Sequence, residues 1–235
     1  MMNSKNTVMF ISQCKKISCT KWGLLLQIFL VFLPPIFFLK SAYLLLGLLF
    51  STLLAWGMLR LRGKTWKDVG LCKPKHIGRM VFITLIATAI LLPLSNFVKH
   101  GIIALTETVP NLEAFEAMQG NIVALAGGLA VAWIFGSFLE EFLFRGFLLN
   151  TLYELFSNKE CPKWVTWTVA VLITSVFTGI GHFYQGIVGM IGTGFIAVGF
   201  AAIYLINRRN LWSSILAHGL YDTVAFVLVY LAISF

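Results

Sequence analysis

The chain has 235 residues, of which 59% are hydrophobic and only 11% charged, against roughly 25% charged in soluble domains. This composition excludes an ordinary cytosolic enzyme, a disordered chain and a disulfide-stapled secreted domain. It leaves a polytopic, all-α transmembrane bundle with room, at about 20 residues per span, for seven or eight helices and no soluble domain.

Residues 1–21 are polar and carry Lys5, Lys15, Lys16 and Lys21. A first apolar span, Trp22 to Leu39, reads as an anchor, since no small-residue cleavage site follows it. Pro34 and Pro35 are expected to kink it. A second span runs from about Ala42 to Leu59. The stretch from Arg60 to Arg79 is the most basic, with Asp68 as its lone acid. A third span covers about Met80 to Val98, and the segment from Lys99 to Gly120 is acidic, carrying Glu107, Glu113 and Glu116.

The apolar run from Asn121 to Phe156 is too long for one upright α-helix. It would measure roughly 54 Å against a hydrocarbon core of ~30 Å, so it must tilt, break or run out along the interface. A polar loop at 157–163, two spans within Trp164–Ile206, a turn at 207–210 and a last apolar segment, Leu211–Phe235, complete the chain. We divide it into N-terminal helices with a basic loop (1–119) and a second transmembrane unit (120–235).

The net charge of +9 reads as basic loops held against anionic lipid, not as nucleic-acid binding. The N-terminus, the 60–79 loop, the 157–163 loop and Arg208-Arg209 fall on one side after alternate crossings, giving seven crossings and a cytoplasmic N-terminus. Cys14, Cys19, Cys72 and Cys161 have no zinc-type spacing and read as reduced thiols.

Six ionisable residues stand inside apolar runs: Glu140, Glu141, Arg145, His182, His218 and Asp222. A charge near mid-membrane costs about 2.5–3.5 kcal/mol on insertion scales, so these residues should face one another or a wet cavity. Glu141 and Arg145, four apart, share a helix face and neutralise each other. Glu140, rotated by about 100° in an α-helix, is left without a helix partner, as suits a proton acceptor. His218 and Asp222 are also four apart and form a second pair. His182 comes from another helix, beside Gly179 and Gly181.

One carboxylate and two histidines from three helices suggest water activation. In one arrangement Glu140 and His182 deprotonate water while His218 and Asp222 steady an oxyanion. In the other, the histidines and a carboxylate hold a divalent metal such as zinc. No His-Glu-x-x-His motif supports the metal, and the metal ligands stay unassigned, with the metal-free mechanism preferred. Two non-enzymatic readings use the same cavity: an immunity or scaffold protein, and a proton-coupled transporter.

The run Glu140-Glu141-Phe142-Leu143-Phe144-Arg145 resembles the Glu-Glu-x-x-x-Arg motif of the CAAX-protease and bacteriocin-processing (CPBP, or ABI) intramembrane proteases. His182 and His218-Gly-Leu-Tyr-Asp222 are similar to the family's second and third motifs. The resemblance covers about residues 120–230. It departs in one place: the family usually has Phe four residues before the second-motif His, where this chain has Thr178 and places Phe177 one earlier.

The resemblance implies an intramembrane endopeptidase acting on a membrane-associated peptide or protein. Glu140 and His182 would activate water, His218 and Asp222 would stabilise the oxyanion, and Glu141 and Arg145 would support them. One expectation is in tension with this. Span-counting puts His182 about 18 residues from the basic side and His218 about eight, so the 164–182 helix must bend at Gly179–Gly181 or begin outside the membrane.

Overall fold

The computed structural model describes residues 15–38 and 43–233. Lys5, Cys14 and the expected cytoplasmic N-terminus lie outside the described residues, as does the Leu39 end of the first span. Among the described residues seven long helices follow one another: α1 (Lys21–Phe38), α2 (Leu44–Leu61), α3 (Ile77–Thr106), α4 (Ile122–Phe156), α5 (Lys163–Gly181), α6 (Gly186–Ile206) and α7 (Leu211–Tyr230). Among the described residues there is no strand. By length and composition α2 to α7 can each cross a membrane, and the apolar stretch of α1, Lys21–Phe37, sits just under that length. This is the expected all-α transmembrane bundle.

Its polarity is arranged for lipid. Large apolar side chains such as Leu53, Phe82, Ile90 and Phe97 are exposed, whereas Ser51, Thr84, Thr88, Ser137 and Thr174 are buried between helices. With no water outside, small hydroxyl residues let helices approach and bond one another. Ser51 shows how this works. Pro35 lacks an N–H, so the carbonyl of Val31 four residues back loses its helical partner. The Ser51 hydroxyl of α2 donates to it at 2.7 Å, and α1 continues through both prolines to Phe38.

The basic loops gather at one end. Arg62 donates to Glu154 at 3.3 Å and to Thr151 Oγ1 at 3.1 Å, and Lys64 Nζ meets Glu154 at 2.6 Å. The same loop reaches the start of α7, where Leu211 N donates to the Gly70 carbonyl and Asn210 Nδ2 to the Cys72 carbonyl. The acidic segment lies at the other end. Asn111 N donates to the carbonyl of Gln185, Gly120 N donates to that of Tyr230, and Phe115 packs on Phe226.

Helix α4 changes its winding along its length. It is continuous from Ile122 to Phe156, but Ala132–Glu140 and Phe142–Leu149 are π-helical. An i→i+5 winding places more residues in each turn and shortens the axis. π-turns inside α-helices are frequent at functional sites. Where the winding returns to α, Asn150 Nδ2 donates to Arg145 O at 2.7 Å and Gly146 O at 3.0 Å, while the Tyr204 hydroxyl lies 3.0 Å away.

Candidate active site

The two adjacent glutamates of α4 have different surroundings. Glu141 is fully buried, and its Oε1 lies 2.9 Å from Arg145 Nη1 and 2.9 Å from His218 Nδ1. Arg145, also buried, donates through Nη2 to the Ala197 carbonyl at 2.9 Å and lies over the Phe200 ring. Glu140 is half-buried and has no hydrogen-bond or salt-bridge partner among the described residues. Glu141 is thus paired with Arg145 and Glu140 stands apart, although the α-helical step of about 100° assumed for their separation does not apply in a π winding.

His218 links two carboxylates. Nδ1 holds Glu141, and Nε2 lies 3.4 Å from Asp222 Oδ2. Its ring stacks on Phe200 at 4.7 Å between centroids. The sequence paired Glu141 with Arg145 and His218 with Asp222; the structure joins both pairs through His218. Periodicity along one helix cannot reveal a contact between α4 and α7.

His182 is the first residue beyond α5. Helix α5 is continuous to Gly181, and the chain leaves the helix at His182. His182 Nδ1 lies 2.9 Å from the Thr178 carbonyl. A carbonyl only accepts, so Nδ1 carries the proton and Nε2 keeps the lone pair in the neutral ring. The departure at Thr178 leaves this contact intact, because it uses the backbone. Phe177 points elsewhere, packing on Phe32 of α1 at 5.8 Å.

Asp222 is the meeting point. It lies within charge–charge range of Glu140, Glu141, His182 and His218. All six ionisable residues therefore share one interior region, on α4, α7 and the end of α5. Tyr184, two residues past His182, lies within the same range of Glu140 and Asp222; sequence reasoning passed over it as one aromatic among many. Phe200 and Gly136 were missed too, since a Phe or Gly in an apolar helix carries no signal of its own. A Cβ on Gly136 would stand 3.3 Å from Asp222 Oδ2 and 3.8 Å from His218 Nε2. Gly136 thus keeps open the space in front of both groups.

Two glycines set the position of His182. A Cβ on Gly179 would fall 2.5 Å from the Met190 carbonyl and 3.3 Å from the Gly194 Cα, so α5 and α6 touch backbone to backbone one turn before the histidine. Gly179→Ala forces the helices apart. The expected outcome is a loss of about 1–3 kcal/mol, the usual range for overpacking. Thermal unfolding of the variant beside wild type checks it.

The donors do not fit a metal centre. His218 is engaged by a carboxylate at Nδ1 and faced by another at Nε2. Among the described residues no three His, Cys, Asp or Glu side chains converge as ligands.

The fold and site define a multi-pass helical membrane protein with a buried carboxylate–histidine centre. A sequence model of the Rce1-like type II CAAX prenyl endopeptidases matches residues 122–224, the segment that carries all six residues. The match covers less than half of the chain; over that segment the chain is similar to the CAAX-protease family, and the similarity supports a membrane-embedded hydrolase of CAAX type. No curated protein and no solved structure matches the chain.

Proposed function

We propose that the protein is an intramembrane endopeptidase hydrolysing a peptide bond in a membrane-associated, CAAX-type peptide or protein, with residues 120–235 as its catalytic unit. The carrying observation is the contrast between the glutamates: Glu141 is bound into the frame, while Glu140 stands half-buried and unpartnered beside Asp222 and His218. Glu140 and the free Nε2 of His182 take the proton of a water. Its oxygen adds to the scissile carbonyl, the C–N bond breaks, and the proton passes to the departing amine.

His218 and Asp222 stabilise the oxyanion. Nδ1 donates to Glu141, so Nε2 carries a proton only in the imidazolium. In that form its 3.4 Å separation from Asp222 exceeds the about 2.7–3.2 Å of a full N–H···O bond, and the N–H remains available to substrate, while Asp222 adds a donor only as the neutral acid. Glu141 and Arg145 position the histidine. The clustering of basic loops at one end supports a cytoplasmic location for that end and for the N-terminus.

The test uses the purified full-length protein in vesicles with a farnesylated CAAX peptide, products being read by mass spectrometry. Wild type should release the terminal tripeptide. Intact peptide under all conditions, or pH-gradient-driven flux without hydrolysis, overturns the reading. In the same assay Gly136→Ala should cut the rate at least about tenfold, because a methyl fills the space where the oxyanion forms; removing one oxyanion-hole donor costs about 10²–10³. An unchanged rate would place the reacting carbonyl elsewhere.

A further inference from the structure

A groove of about 780 Å³ lies between α5 and α6 at the basic end, away from Glu140 and the histidines. Val171, Leu172, Val198 and Leu205 wall it, Trp164 and Trp167 stand at its α5 side, and Arg208 and Arg209 close it at the end of α6. The volume is within the about 300–1,000 Å³ typical of small-molecule sites. Arg209 lies over the Trp167 ring, and Trp164 is largely exposed, as expected of aromatic residues at a membrane–water interface.

The two arginines occupy costly backbone positions. Arg209 N donates to Tyr204 O and Arg208 N to Leu205 O, the paired bonds that close a helix C-terminus with a left-handed residue, usually glycine. Here Arg208 and Arg209 have φ of 59° and 60°. A non-glycine residue held there costs energy and points to a use for its side chain. The partial negative charge of the α6 terminus favours cations, but it does not require them at these two positions. Neither arginine forms a salt bridge among the described residues. Asp68 lies within charge–charge range of Arg209, but its Oδ2 already accepts from the hydroxyl and amide of Thr65, both at 2.7 Å.

We infer that this groove binds an anionic phospholipid, its phosphate on Arg208 and Arg209 and an acyl chain along the apolar wall. A dicationic rim above an apolar trough, framed by tryptophans at interface depth, complements a molecule with a charged head and an apolar tail. Basic pockets between transmembrane helices recognise lipid headgroups in this way.

The test is thermal unfolding of the full chain in neutral detergent with added phosphatidylglycerol, phosphatidylcholine of the same chains, or glycerol 3-phosphate. Near a hundredfold excess over Kd, phosphatidylglycerol should raise Tm by about 5–10 °C, with little effect of the other two. Arg208→Gly combined with Arg209→Gln should abolish that rise without lowering Tm in detergent alone, since glycine relaxes the turn. If that variant fails to fold, Arg208→Lys with Arg209→Lys should keep most of the rise. An equal rise with phosphatidylcholine, an equal rise with glycerol 3-phosphate, or a rise surviving loss of both charges overturns the assignment. This readout is independent of the protease reading.

Discussion

Glu140→Gln is expected to abolish peptide cleavage while leaving the protein folded. The substitution is isosteric and removes no hydrogen bond, since Glu140 has no such partner among the described residues. It removes the carboxylate proposed to accept the proton and the charge felt by Asp222, His218 and Arg145. General-base catalysis contributes about 10²–10⁴-fold, so the initial rate on the farnesylated peptide should drop by at least that factor, with Tm within about 2 °C of wild type, a shift that for a chain of this size corresponds to under about 1 kcal/mol. A rate within a few-fold of wild type would remove Glu140 from the mechanism. An immunity or scaffold role, by contrast, would leave protection or binding unchanged in this variant.

The neighbouring residue should behave in the opposite way. Glu141→Ala leaves the Arg145 guanidinium buried without its counter-charge and takes the carboxylate from His218 Nδ1. Breaking a buried pair by removing one partner costs about 3–5 kcal/mol, which at about 2–4 °C per kcal/mol lowers Tm by about 6–20 °C. The double variant Glu141→Leu/Arg145→Met should recover much of that loss, because replacing both charges by apolar groups of similar volume is often neutral or better. Recovery should be incomplete, since the Ala197 carbonyl loses the donor it has in Arg145 and an unpaired buried acceptor costs about 1–3 kcal/mol. The double variant should also stay inactive, with His218 no longer held. A Glu141→Ala protein as stable as wild type would show that the ion pair carries no structural load.

The two glutamates also mark where sequence reasoning reaches and where it stops. Composition determined the solvent: at 59% hydrophobic, only a lipid-facing bundle is consistent with this chain. The scarcity of charge then made six ionisable residues in apolar runs conspicuous, and spacing along single helices was enough to pair Glu141 with Arg145 and to set Glu140 apart. These are local or additive properties, and a linear sequence carries them in full.

Contacts between helices are of another kind. That Glu141 holds His218, that Gly136 clears the space before Asp222, that Phe200 stacks on the histidine and that Gly179 touches the Met190 carbonyl all depend on how separate helices pack. Residues 77 positions apart, as Glu141 and His218 are, meet only through the crossings of α4 with α7. The π winding of α4 is likewise invisible in hydrophobic periodicity, which assumes the α turn throughout. Within the helix the Asn150 amide donates to the Arg145 and Gly146 carbonyls, and it meets Tyr204 of α6 across the helix packing. The sequence therefore determined the membrane class, the six ionisable residues and the pairs within single helices, and the tertiary structure alone decided that His218 joins those pairs across α4 and α7, because that contact depends on how separate helices pack.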